Sequence, residues 1–371
     1  MSGFPISLAR KLEDRKAADA FRELRQYSGM TDFYSNDYLG LSCSARIRGR
    51  TEELLLHYGA NTNGSGGSRL IAGNSVLAED TEEYLSAFYG SEAALIFSSG
   101  YDANLGLLSC IASRLDTILY DEYAHASIRD GIRLSTAKSF SFRHNSMEDL
   151  AAKLRHASGT VFVVTETVFS MDGDEAPLKE LVQMQAQYGF HLIADEAHAA
   201  GYFGNGAGLC SEAGVVPDIF ARIVTFGKAA GVHGAAVLGN RMLKDYLVNF
   251  ARSFIYTTAL PPYAYAAVRA AHEEIAKAEE ERQKLEQHIF FFRKNYTGAG
   301  LISSRSAIQS VVIPGNSAVK KKCAQLQQEN LGMVPVLHPT VPEGKERIRI
   351  CLHAFNTEEE IKRLVTGLQN E

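Results

Sequence analysis

Short apolar runs alternate with amphipathic stretches through the middle of the chain. Residues 94–97, 117–120, 160–165, 191–194, 219–226 and 235–238 are apolar runs of strand length, whereas 102–110, 146–156 and 178–188 carry helical spacing. Strands alternating with helices predict a largely parallel α/β sheet covered on both faces, because a strand can be apolar throughout only when both of its sides are buried. Upstream, 8–27 is charged with apolar positions at helical spacing and predicts an N-terminal helix. After Pro261-Pro262 the texture changes. Residues 263–296 are rich in Ala, Glu and Lys and predict a long connecting helix. Residues 308–313 and 347–352 then read as strands flanking a Lys-rich helix. The chain therefore divides, on its sequence, into an N-terminal helix and arm (1–45), a large α/β domain (46–262), and a connecting helix with a small C-terminal α+β domain (263–371).

Composition narrows the function classes. The chain is long enough for a large core and more than one domain, and 46% apolar with 22% charged residues is ordinary for a soluble globular protein. A net charge of -5 gives no electrostatic attraction to nucleic acid or to an anionic membrane. Five widely spaced cysteines without a C-x-x-C pair fit reduced thiols better than a disulfide framework or a zinc site. No stretch has the length and apolarity of a signal peptide or membrane span, so a cytoplasmic enzyme is expected.

Candidate chemistry gathers at the ends of the apolar runs. His191-Leu-Ile-Ala-Asp195-Glu-Ala-His198 is a strand ending in acidic and imidazole groups, and open α/β sheets bind ligands in the crevice at such strand ends. A later run ends in Thr225-Phe-Gly-Lys228 among small apolar residues, where desolvation favours the neutral, nucleophilic amine that Schiff-base chemistry needs. A pyridoxal-5′-phosphate (PLP) enzyme requires such a lysine and an acid to keep the pyridine nitrogen protonated, a role that suits Asp195. It also requires a phosphate cradle. Ser98-Ser99-Gly100-Tyr101 follows a strand and opens a helical stretch, whose backbone N–H groups would bind an anion. Thr225 adds a hydroxyl. Each feature alone is commonplace: a solvated loop lysine, a capping Asp, a turn. Their order and combination carry the inference.

Asp195-Glu-Ala-His198 also spells a helicase-type nucleotide-hydrolysis box, but that reading needs a P-loop, and no G-x-x-x-x-G-K-[ST] occurs. His191, Asp195, Glu196 and His198 lack a dedicated metal-ligand spacing, and no metal is expected.

With these motifs placed, the chain resembles the α-oxoamine synthases, fold-type-I (aspartate-aminotransferase-like) PLP enzymes. The resemblance runs along almost the whole chain. It is carried by Phe33-Tyr-Ser-Asn-Asp-Tyr-Leu-Gly40, Gly64-Ser-Gly-Gly-Ser-Arg-Leu70, Phe97-Ser-Ser-Gly-Tyr101 and Asp121-Glu-Tyr-Ala-His125-Ala-Ser127. Glu166-Thr-Val-Phe-Ser-Met-Asp-Gly-Asp174, Asp195-Glu-Ala-His198, Thr225-Phe-Gly-Lys228, Thr257-Thr-Ala-Leu-Pro-Pro262 and Arg347-Ile-Arg-Ile350 extend it.

The resemblance implies roles. Lys228 matches the Schiff-base lysine, Asp195 the partner of the pyridine nitrogen, and His198 the histidine at the phenolic oxygen, with Ser170 also at the cofactor. His125 matches the histidine stacked on the ring and placed to polarise the thioester carbonyl. Gly100, Tyr101 and Thr225 match positions around the phosphate, and the domain over 46–262 is thereby the expected PLP-binding domain. Arg349 resembles the clamp for the amino-acid carboxylate; read alone, it would be a surface strand arginine, with Arg347 on the same face. Arg22 and Thr340 match weaker substrate-side positions. Segment 64–67 and Thr257-Thr258 resemble segments that reach a neighbouring subunit's site, implying a homodimer. Within the family, Gly-Gly-Ser-Arg-Leu points to the biotin-pathway reaction, L-alanine with a pimeloyl thioester (pimeloyl-CoA or pimeloyl-acyl carrier protein) giving 8-amino-7-oxononanoate. Relatives use glycine or serine with another acyl-CoA. One departure stands out: Ala78 and Thr81-Glu82 occupy positions where the family commonly has His and Leu-Glu.

Overall fold

The computed structural model describes residues 3–370. The chain forms two compact units, a larger one of residues 36–170 and 175–282 and a smaller one of the residues up to Ser35, 171–174 and 283 onward.

The larger unit is built on a seven-stranded sheet. In chain order its strands are β1 (Ala93–Phe97), β2 (Thr117–Asp121), β3 (Lys138–Phe142), β4 (Val161–Glu166), β5 (His191–Asp195), β6 (Ile219–Thr225) and β7 (Ala235–Gly239). Their spatial order is β1-β7-β6-β5-β4-β2-β3. Only β7 runs antiparallel to its neighbours, β1 and β6. The remaining pairs are parallel, as the alternating pattern predicts.

Alternate side chains of these strands feed two cores. Ile118, Phe162, Val164, Ile193 and Ile223 pack on one face with residues of helices Gly100–Cys110 and Ala126–Leu134. Leu119, Val163, Leu192 and Ala194 pack on the other with residues of Met147–Leu154 and Leu178–Tyr188. Strand β3 escapes the sequence pattern because it is an edge strand with four of its five residues exposed, so its Lys-Ser-Phe-Ser-Phe was never required to be apolar.

Two predicted helices are shorter or broken. The N-terminal helix spans Ile6–Ala17 rather than 8–27. It buries no side chain, so no packing extends it, and Asp19 adopts φ 51° just beyond its end. The long connector divides into Pro262–Ile275 and Glu279–Asn295. At the break, Lys277 N and Ala278 N bond three residues back, to Glu274 O and Ile275 O, and Arg282 Nη1 donates to the Ile275 carbonyl at 2.7 Å.

In the smaller unit β8 (Ile308–Val312), β9 (Val334–Val336) and β10 (Arg347–Cys351) form an antiparallel sheet in the order β9-β10-β8. The Lys-rich helix is present as Asn316–Gln328. A further helix, Glu358–Gln369, starts from a capping box between Thr357 and Glu360. Among the described residues no helix is long and apolar enough to cross a membrane.

Candidate active site

Parallel pairing sets the C-terminal ends of β4, β5 and β6 beside one another, with Glu166 opposite Asp195 and Asp195 opposite Ile223. Loops leave the sheet there and can gather functional groups.

Beyond β6, Lys228 Nζ lies 2.8 Å from His198 Nε2. His198 Nδ1 in turn lies 2.7 Å from the hydroxyl of Tyr38, which donates to Asn36 Oδ1 at 3.2 Å. One proton arrangement satisfies the whole relay: the Lys228 ammonium donates to Nε2, Nδ1–H donates to Tyr38, and Tyr38 donates onward.

At the end of β5, Asp195 is buried and both oxygens are fixed. Oδ1 accepts from Ala197 N at 2.9 Å and Oδ2 from Asn104 Nδ2 at 2.7 Å. Asn104 Nδ2 also reaches Ser127 Oγ at 3.0 Å, and Ser127 Oγ lies 2.8 Å from His125 Nδ1. Ser127 N donates to the same Nδ1 at 3.2 Å, so Nδ1 is an acceptor and the His125 proton sits on Nε2. His125 is exposed by area, yet enough protein surrounds it that desolvation lowers its pKa, helped by Lys228 and opposed by Asp195.

The start of helix Gly100–Cys110 is equally specific. Ser99 caps helix Gly100–Cys110, its Oγ accepting from Asp102 N at 3.1 Å. Gly100 lies so close to β6 that a Cβ there would meet Thr225 Cγ2 at 2.4 Å. The Thr225 hydroxyl is buried without a partner among the described residues. A buried unpaired hydroxyl costs free energy unless something fills the site. A helix N-terminus, a glycine where an added Cβ would collide with Thr225, and an orphaned hydroxyl fit a phosphate. Beside them, Asp195 and Lys228 fit the pyridine nitrogen and aldehyde of PLP. Tyr101 is exposed and its phenol donates to Asp130.

Glu196, the other acid of the helicase-like box, is structural. It is buried, paired with Arg222 at 3.1 Å, and accepts from Cys210 N at 2.8 Å. No metal-binding group of His, Cys, Asp and Glu occurs among the described residues.

Thus Lys228, His198, Asp195, His125, Thr225 and Gly100 lie in the larger unit, as does the half-buried Ser170. Arg22, Thr340 and Arg349 lie in the smaller one. There Arg22 Nη2 donates to Thr340 Oγ1 at 3.3 Å, and the half-buried Arg349 donates from Nη1 to Cys351 Sγ at 3.0 Å. Arg347 is not the surface arginine that its alternation with Arg349 suggests: it is buried and paired with Asp172. Sequence reasoning did not single out Tyr38, Asn104, Ser127 and Glu166. Three of them sit inside motifs already noted, whereas Asn104, on the buried face of a helix, carries no local signal.

A family model, aminotransferase class I and II, matches residues 28–368. The 8-amino-7-oxononanoate synthase of Emericella nidulans is 41% identical, over 91% of this chain and 88% of its own length. The Lysinibacillus sphaericus protein of the same name is 38% identical over 91% and 87%. Among solved structures, serine palmitoyltransferase of Sphingomonas wittichii matches with a TM-score of 0.87 and 27% identity, covering 99% of this chain and 96% of that one. The 8-amino-7-oxononanoate synthase of Francisella tularensis matches with a TM-score of 0.78 and 29% identity, over 91% and 96%.

Proposed function

The chain belongs to the aminotransferase class I and II family, and we propose that it catalyses the 8-amino-7-oxononanoate synthase reaction with PLP. L-Alanine and a pimeloyl thioester condense, carbon dioxide and the thiol carrier leave, and the product feeds biotin synthesis. One observation carries the reading: a Lys228–His198 contact beside a doubly anchored Asp195, in a chain 41% identical to a relative of that name along 91% of its length.

When bound, PLP supplies the carbonyl that captures the amino acid and the ring that takes up the electron pair released at its α-carbon. Asp195 keeps the ring nitrogen protonated, and its two fixed donors spare it any rearrangement as charge develops. Lys228 Nζ, when neutral, takes the α-proton, and the resulting ammonium is received by His198 Nε2 and steadied through Tyr38. His125 stays neutral, and its Nε2–H is the donor offered to the acyl carbonyl. Ser99, Gly100 and Thr225 hold the phosphate, with Tyr101 and Ser170 as further cofactor contacts. Arg349 binds the substrate carboxylate with its planar fork, and Arg22 and Thr340 contact substrate.

The same reading assigns a cytoplasmic homodimer. Segment 64–67 and Thr257-Thr258 would reach the second subunit's site, and Leu70, Ile71, Tyr256 and Tyr263 near them are exposed. A second reading draws on the serine palmitoyltransferase likeness: glycine or serine replaces alanine.

A spectral titration separates them. The cofactor band of the reconstituted protein, roughly 300–500 nm, should respond to L-alanine and change again on adding pimeloyl-CoA. A response to glycine or L-serine with none to alanine would move the assignment to the second reading.

A further inference from the structure

Glu166 is a buried acid at this site to which the mechanism above gives no task. It ends β4, is 3% exposed, and its partner in the parallel register is Asp195. Its Oε1 accepts from the backbone N of His125 at 2.7 Å. Asp195, Asn104, Ser127 and His125 already form a hydrogen-bonded chain. Glu166 meets that chain at its far end through His125 N and flanks its near end across the sheet. Asp121 on β2 is also buried, with its own partners: His144 Nδ1 at 2.9 Å and the backbone N–H groups of Tyr123 and Asn145.

Two ionised carboxylates on adjacent strand ends, in a site with one nearby lysine, repel strongly when buried. Asp195 must be the charged one if it is to hold a pyridinium. We propose that Glu166 works as a neutral carboxylic acid, a positioning residue that ties the His125 backbone to the sheet edge without placing a second negative charge beside Asp195. Its ionisation then sets the alkaline limit of activity. This inference rests on the PLP reading of the site.

The surroundings support it. Burial first, then Asp195 and Asp121, raise the Glu166 pKa to about 8, against the lowering effects of Lys228 and the His125 N–H. Between about pH 7 and pH 9, loss of one such proton lowers kcat about tenfold if only the neutral form works. Glutamine keeps the acceptor for His125 N but cannot ionise. Glu166→Gln should therefore flatten this fall in kcat relative to the parent, and parent and variant profiles that superimpose would overturn the proposal.

Direct titration of the side-chain carboxyl gives a readout free of turnover. In protein labelled with 13C at glutamate carboxyls, the resonance missing from Glu166→Gln should titrate near pH 8. A midpoint at the ordinary glutamate value of about 4.3 would refute the neutral acid. If Glu166→Gln does not fold, Glu166→Asp assigns the resonance and the parent titration still decides. Failure to make any product from alanine and a pimeloyl thioester would sink the proposed reaction while leaving the carboxyl titration to stand by itself.

Discussion

Replacing Gly100 by Ala tests the phosphate cradle at its narrowest point. The added methyl would sit 2.4 Å from Thr225 Cγ2, whereas ordinary contact begins at 3.4 Å, so about 1 Å of displacement is needed. Neither side yields easily. Gly100 is the first residue of helix Gly100–Cys110, and Thr225 is the last of β6, three residues before Lys228. Overpacking of this kind costs about 1–3 kcal/mol. If the strain falls on the cradle, PLP affinity drops by about 5- to 150-fold, since 1.4 kcal/mol is a factor of ten. Titrating apo-protein with PLP and following absorbance gives the dissociation constant. Thr225→Ser removes the offending methyl and keeps the hydroxyl, so Gly100→Ala/Thr225→Ser should recover most of the loss, with Thr225→Ser alone as reference. Parent-like affinity in Gly100→Ala, or no recovery in the double variant, would refute a cradle formed at this contact.

His272 is fully buried, donating from Nδ1 to Val268 O at 2.7 Å and accepting from Tyr89 at 3.0 Å, and burial lowers its pKa to about 4. Because the unfolded chain binds this proton from about pH 6.5 downward, stability should fall by about 3 kcal/mol as pH drops from about 6.5 to 4. Urea denaturation should show that decline, and His272→Gln should lack that part of it. Arg222→Met strands Glu196 as an unpaired buried charge and should cost about 3–5 kcal/mol in the same assay; adding Glu196→Gln should return part of it, and no return would refute the pair as the cause. Arg349→Ala should raise the KM for the amino acid far more than it lowers kcat, and an unchanged KM would remove the clamp.

The buried strands were legible because apolar side chains on both faces of a parallel sheet leave a continuous run in the sequence. The exposed β3 left none. Helix Leu178–Tyr188 has the predicted bounds because Gly189, at φ 73°, ends it where the pattern stops. The connector breaks at Ala276–Ala278 despite helix-favouring residues, where two backbone N–H groups bond three residues back and Arg282 takes the Ile275 carbonyl, a local arrangement that residue propensity does not encode. At the candidate site, Lys228, Asp195 and His198 stand out in the sequence because each follows an apolar run. Asn104 and Ser127 could not. Their value lies in a chain of contacts among three separate loops and helices, which spacing along the sequence does not encode. Glu166 is not singled out by the sequence, because only the strand register sets it against Asp195.

The most direct test of the central claim is product identification by mass spectrometry. Purified protein with PLP would be given equal L-alanine, glycine and L-serine together with pimeloyl-CoA, alongside Lys228→Ala. 8-Amino-7-oxononanoate should be the dominant product, with none from Lys228→Ala. A dominant product built from glycine or serine, no condensation at all, or full turnover by Lys228→Ala would contradict it.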